Sequence, residues 1–140
     1  MIVVDTNVVA YLLIEGDQSD QAQRLWAINP DWHLPALWRH EFLNTLATLA
    51  KTGRAGLDQV QEVWTNAVAL LAAGEREVEM PDALELAVRH RISAYDAQYV
   101  VLAATLGVPL ITEDQKLLRA FPGRLLSIQS YCELHASARN

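Results

Sequence analysis

Apolar positions fall in two patterns along the chain. Short unbroken apolar runs end in polar or turn-forming residues, and longer stretches carry apolar residues at three- and four-residue steps. Ile2-Val3-Val4, closed by Asp5-Thr6-Asn7, is the first run and reads as a buried strand over 2–4. Residues 8–14 follow as an apolar helix, stopped by Glu15-Gly16-Asp17. Ser19-Asp20 can cap a second helix with Ala22, Leu25, Trp26 and Ile28 on its inner face, and Asn29-Pro30-Asp31 breaks it. Residues 32–34 predict a second short strand. Pro35 opens a long helix over 35–52, with Leu37, Leu43, Leu46, Ala47, Leu49 and Ala50 as its apolar positions. Beyond a turn at 53–56, Val60, Val63, Trp64, Ala67, Leu70 and Leu71 predict a helix over 58–73.

Val78-Glu79-Met80 predicts a third strand, stopped by Pro81, and Ala83, Leu84, Leu86, Ala87 and Val88 mark a helix over 82–90. Ser93 can cap a helix over 94–106, which Gly107 ends. The stretch 108–111 is another apolar strand, Glu113-Asp114 opens a helical turn to 121, 125–128 predicts a last strand, and Ser130 caps a final helix. Short strands, apolar throughout and alternating with helices, argue for a parallel sheet covered on both faces, an α/β domain of three layers. No repeat, low-complexity tract or interdomain linker appears, so 1–140 is expected to be a single domain.

Composition narrows the class. A chain of 140 residues, 51% hydrophobic and 20% charged, can bury a core without disulfides or a structural metal. Intrinsic disorder, collagen-like sequence and a disulfide scaffold are excluded. The single cysteine, Cys132, cannot form an internal disulfide and reads as a small apolar filler on the last helix. No basic segment precedes the first strand, and the longest uncharged run, 98–112, is shorter than the roughly 20 apolar residues a membrane span needs. A soluble, cytoplasmic protein is expected. The formal charge of −6 argues against a protein that coats nucleic acid by charge alone.

Four carboxylates change that picture. In an open α/β sheet, ligands bind outside the carboxyl ends of the strands. Asp5 stands at that end of the first strand, and Asp114 just past the strand at Leu110-Ile111. Glu41 and Asp96 sit in helices among apolar neighbours, where a carboxylate is costly unless paired, protonated or bound to metal. Each also has a structural reading. Asp5 and Asp114 can cap the helices that follow them, Asp96 can complete a capping box with Ser93, and Glu41 can face solvent. His40-Glu41 lacks the second histidine of a zinc-protease helix, since position 44 is Asn. His33, His90 and His135 show no paired ligand spacing and read as surface or partly buried side chains. Trp26, Trp32, Trp38 and Trp64 read as packing residues rather than a base-stacking platform.

The segments Val3-Val4-Asp5-Thr6-Asn7-Val8, Glu41-Phe42-Leu43-Asn44, 95–103 (Tyr95-Asp96-Ala97-Gln98-Tyr99 onward) and 110–117 (Leu110-Ile111-Thr112-Glu113-Asp114 onward) resemble, in order, the four motifs of the PIN-domain nucleases, nearest to their VapC toxin branch. The resemblance covers essentially the whole chain. It implies a compact α/β/α fold and an endoribonuclease dependent on Mg²⁺ or Mn²⁺, with one or two ions. The acidic quartet carried over is Asp5, Glu41, Asp96 and Asp114, with Thr6, Asn7 and Thr112 orienting carboxylates or water. Glu113 falls beside the family's acidic position and stays outside the set. The implied reaction is attack of a metal-activated water on an RNA phosphodiester, leaving a 5′-phosphate and a 3′-hydroxyl. The implied partners are a small cognate antitoxin and a second copy of the chain, in a homodimer. Hard cations prefer oxygen ligands, and Mg²⁺ takes one or two carboxylates with water and phosphate oxygens, which suits this set.

With the quartet assigned to metal, 13 acids remain against 11 basic side chains, so the net charge no longer opposes an RNA partner. Arg39, Lys116 and Arg119 are candidate phosphate contacts, and Arg54 reads as solvated surface charge. Trp38, Leu46, Leu49, Trp64 and Leu71, on the two helices over 36–73, fit either a partner groove or core packing. Two other functions compete. A haloacid-dehalogenase-type phosphohydrolase wants a second Asp where this chain has Asn7. A non-catalytic PIN-like RNA-binding module does not need all four acids.

Overall fold

The strand-to-helix alternation is realised as a layered sheet. A computed structural model of the chain describes residues 1–138; the last two positions of the expected 1–140 domain lie outside the described residues. The elements are β1 (Ile2–Val4), α1 (Thr6–Leu13), α2 (Ser19–Ile28), β2 (Trp32–Pro35), α3 (Trp38–Lys51), α4 (Leu57–Leu71), a 3₁₀ turn (Ala72–Gly74), β3 (Glu75–Arg76), α5 (Met80–His90), α6 (Ala94–Leu106), β4 (Leu110–Ile111), α7 (Gln115–Ala120), β5 (Leu125–Leu126) and α8 (Ile128–Ala138). Among the described residues the strands form one five-stranded sheet in the order β3-β2-β1-β4-β5, every pair parallel. The chain therefore reverses its direction of winding at β1. Strand β1 is paired with β2 on one side and with β4 on the other, where Val3 faces Leu110 and Val4 faces Ile111.

The two-residue period of a strand explains why β1 is apolar throughout. Ile2 and Val4 enter one core with side chains of α1, α2, α3, α4 and α8, while Val3 enters the opposite core with α6 and α7. The same division splits β4, with Ile111 on the first side and Leu110 on the second. This is the three-layer α/β/α arrangement the pattern predicts. Helix α6 carries no charge after Asp96 because it lies between the sheet and α5, whose Ala83 and Ala87 pack on Ala97 and Val101.

Several local expectations are corrected. The third strand is Glu75–Arg76, not 78–80. Glu79 instead precedes the first turn of α5, which begins at Met80 with Pro81 in that turn, where a missing N–H costs nothing. Strand β3 depends on Gly74, since a Cβ there would lie 2.0 Å from the Trp32 carbonyl oxygen. The final helix starts at Ile128, and Ser127 rather than Ser130 caps it, its Oγ accepting from Ser130 N at 3.1 Å. Ser19 opens α2 rather than capping it, its Oγ donating to the Ile14 carbonyl and accepting from Gly16 N. In α3, Trp38, Phe42 and Leu46 fill the inner stripe, so Leu43 is exposed; on α5, Leu84 and Val88 are exposed too. Trp38, Leu46 and Leu71 are core residues with Leu49 and Trp64 packed against them, so on these five positions core packing prevails over a partner groove. His33 is buried, with Nε2 2.7 Å from Asp31 Oδ1. Cys132 is buried on α8 as expected.

The Gly74 contact gives a direct test. Gly74→Ala should destabilise the protein by about 2 kcal/mol or more, because backbone must move to admit the methyl group. The shift of the urea midpoint measures it, and a variant as stable as the parent would contradict the close approach.

Candidate active site

Asp5 is the first residue past β1 and the N-cap of α1: its Oδ1 accepts from Val8 N at 3.1 Å. Its Oδ2 accepts from Thr112 Oγ1 at 2.5 Å. Thr112 stands just past β4, fully buried, and its Oγ1 in turn accepts from Asp114 N at 3.1 Å. Asp114 caps α7 through Oδ1 and Leu117 N at 3.1 Å. The pairing of β1 with β4 thus carries straight into a hydrogen-bonded link between the two aspartates. Glu41 comes from the first turn of α3, in one helical layer, and Asp96 from the first turn of α6, in the other. Ser93 caps α6 by accepting from Asp96 N at 3.0 Å. Glu41 Oε1 accepts from Thr6 Oγ1 at 2.9 Å and from Tyr99 Oη at 2.7 Å. All four acids line one cleft of about 260 Å³ at the carboxyl ends of β1 and β4, with Thr6, Asn7, Asn44, Thr45, Tyr99 and Leu117. This is the position where the sheet changes winding direction, the usual place for a ligand in such folds.

The acids share one electrostatic field. Burial pushes the Asp5 carboxyl up to about 6, against the hydrogen bonds from Thr112 and Val8, and the charges of Asp96 and Glu41 add to the rise. Asp96 is also raised, first by burial, with Asp114 and Glu41 adding repulsion while Ser93 and Lys116 oppose it. Burial, with the Glu41 charge second, raises the Tyr99 phenol well above its ordinary range, so it serves as an O–H donor. Carboxylates that resist ionising together are the donor set a hard cation relieves. As they are placed, no three His, Cys, Asp or Glu side chains among the described residues could by themselves hold a metal ion. An open site of one or two carboxylates, completed by water and phosphate oxygens, is the form Mg²⁺ takes.

A family model described as the PIN domain matches residues 2–121. The chain belongs to the PIN-domain family. This PIN domain is similar to Ribonuclease VapC3 of Pyrobaculum aerophilum, with 34% identity over 125 residues that cover 86% of this chain and 95% of that protein. Its fold is shared with the crystal structure of PAE2754 from the same organism, at a TM-score of 0.77 and 20% identity, covering 97% of this chain and 96% of that one.

Other residues singled out by sequence are placed as follows. Within the PIN domain, Lys116 lies in the first turn of α7 near Asp96, and Arg119 is exposed in the last turn of the same helix. Arg39 points elsewhere: it forms an ion pair with Glu75, which also accepts from Trp38 Nε1. Glu113 turns away from the cleft, and its Oε1 accepts from Ile128 N at 2.8 Å at the start of α8. No tryptophan lines the cleft. A larger groove of about 480 Å³ lies between α6 and β5, lined by Val100, Ala103, Gly107 and Arg124, away from the acids. Sequence reasoning missed Asn44, Thr45 and Tyr99 as cleft residues. Helical spacing was the available signal, since they lie three or four positions after Glu41 or Asp96 and so share a face with them.

The raised Asp5 fixes the sign of a pH effect. Its stabilising contribution is complete below the ordinary carboxyl range and is lost as pH rises through about 6. With chelator present, Asp5→Asn should therefore gain up to about 3 kcal/mol over the parent at pH 7 and nothing at pH 4. Urea denaturation at the two pH values measures this; a difference that does not change with pH would contradict the burial of Asp5.

Proposed function

We propose that this chain is a divalent-metal-dependent endoribonuclease, the toxin of a VapBC-type toxin–antitoxin pair, working as a single PIN-like domain over 1–140. The observation that carries the reading is the convergence of Asp5, Glu41, Asp96 and Asp114, from two strand ends and two opposite helical layers, on one cleft. Similarity to Ribonuclease VapC3 supports RNA as the substrate.

A bound Mg²⁺ or Mn²⁺, one ion or two, would lower the pKa of water and stabilise the leaving oxygen of a phosphodiester. The chain's own side chains then have distinct tasks. Asp5, Glu41, Asp96 and Asp114 supply hard oxygen ligands. Thr112 fixes the rotamer of Asp5 while its Oγ1 holds the Asp114 backbone. Thr6 bonds Glu41, and the exposed Asn7 side chain stands at the cleft's rim to orient water or substrate. The products are a 5′-phosphate and a 3′-hydroxyl. Lys116 and Arg119 are the better-placed phosphate contacts, since Arg39 is engaged by Glu75. Among the described residues no helix is long and apolar enough to cross a membrane, and we place the protein in the cytoplasm. A small antitoxin would silence it by covering the cleft, and two copies would form the active dimer.

Asp5→Asn and Asp96→Asn should each lower cleavage of total RNA in Mg²⁺ or Mn²⁺ by about 100-fold or more while leaving the far-ultraviolet circular dichroism unchanged. Chelation should abolish cleavage by the parent. Parent-like rates from both variants would refute the assignment, and tight RNA binding without cleavage under either metal would favour a binding module. Light scattering at micromolar concentration tests the dimer; a monomer mass removes it.

A further inference from the structure

The two carboxylate oxygens of Glu41 sit in different surroundings. Oε1 accepts from Thr6 and from Tyr99, at 2.9 and 2.7 Å, and those two hydroxyls are 2.5 Å from each other. No described residue makes a hydrogen bond to Oε2. The three groups come from α3, α1 and α6, so the ring of contacts joins the two helical layers on opposite faces of the sheet. The two hydroxyls carry one proton each for three oxygen–oxygen contacts, so both protons are spent inside the ring and its contacts fall on Oε1 alone. The Tyr99 ring is buried in the core on the α6 side, which leaves its hydroxyl little freedom to move elsewhere.

We infer that Tyr99 is a positioning residue which, with Thr6, holds Glu41 so that Oε2 alone is offered to the cleft, making Glu41 a one-oxygen ligand for a divalent cation. This rests on the metal-site reading above and deepens it. A one-oxygen carboxylate suits the small octahedral ions Mg²⁺ and Mn²⁺. Ca²⁺, which takes more ligands and accepts carboxylates through both oxygens, gains less from it. Removing the phenol leaves Thr6 as the one hydroxyl on Oε1, so Glu41 becomes both less ordered and freer to grip with two oxygens.

Tyr99→Phe deletes the one oxygen and keeps the ring. Titration calorimetry with Mn²⁺ alone should show affinity 10- to 100-fold weaker than the parent, the usual cost of losing a group that orients a ligand. Ca²⁺ affinity should fall less, so the preference for Mn²⁺ over Ca²⁺ narrows, which a loss of packing would not produce. Mn²⁺ affinity within twofold of the parent, or equal losses for both ions, overturns the inference. Glu41→Gln separates this from the parent reading. If that variant binds Mn²⁺ like the parent, Glu41 is no ligand and the site assignment itself fails. If it loses binding while Tyr99→Phe does not, only the positioning role fails. Should Tyr99→Phe not fold, carbon-13 labelling of tyrosine in the parent replaces it. The Tyr99 Cζ resonance should move on saturation with Mg²⁺ and stay fixed in Glu41→Gln; no movement in the parent overturns the inference.

Discussion

The bond from the Thr112 hydroxyl to Asp5 joins the carboxyl ends of two neighbouring parallel strands. Much of the cleft follows from it. Asp5 spends one oxygen on the first turn of α1 and the other on Thr112, so its position is set by the strand before it and the helix after it together. Thr112 passes the constraint to the Asp114 backbone, and Asp114 caps α7. The structural readings of these residues and the functional one are therefore not rivals. The same hydrogen bonds that begin helices hold the acids at the cleft, where burial and neighbouring negative charge make Asp5 and Asp96 hard to ionise.

The central strands, the helices and the four acids were legible in the sequence because each has a strong local cause. Buried parallel strands are apolar at every position, and Ile2-Val3-Val4 and Leu110-Ile111 show it directly. The acids stand where such runs end or where an otherwise apolar helix begins. What escaped notice depends on contacts distant in sequence. Strand β3 is two residues long and polar, formed because Gly74 lets the chain approach Trp32. Glu113, adjacent to Asp114, is drawn off by Ile128, fifteen positions on. Tyr99 stands in the motif segment that begins at Tyr95, but its bond to Glu41, 58 positions away, has no local sign in the sequence.

The chain's negative charge concentrates its effect here. An acidic protein that engages RNA without a broad basic surface needs a local source of positive charge. The cleft holds four acids, with Lys116 the basic side chain coupled to Asp96. On the proposed metal-dependent reading, affinity for a phosphate would be conditional on a cation, and electrostatic attraction for nucleic acid would centre on one opening of the molecule rather than spread over its surface.

The sheet's two margins have a different significance. Both outer strands, β3 and β5, are only two residues long. A margin this short offers hardly any unpaired main chain for another extended segment to zip onto, which protects against edge-to-edge aggregation. It also limits how any protein can recognise this one. Lengthening the sheet with a foreign strand is disfavoured as a docking mode, which leaves side chains on helical faces and at the cleft's rim as the larger surfaces for recognition.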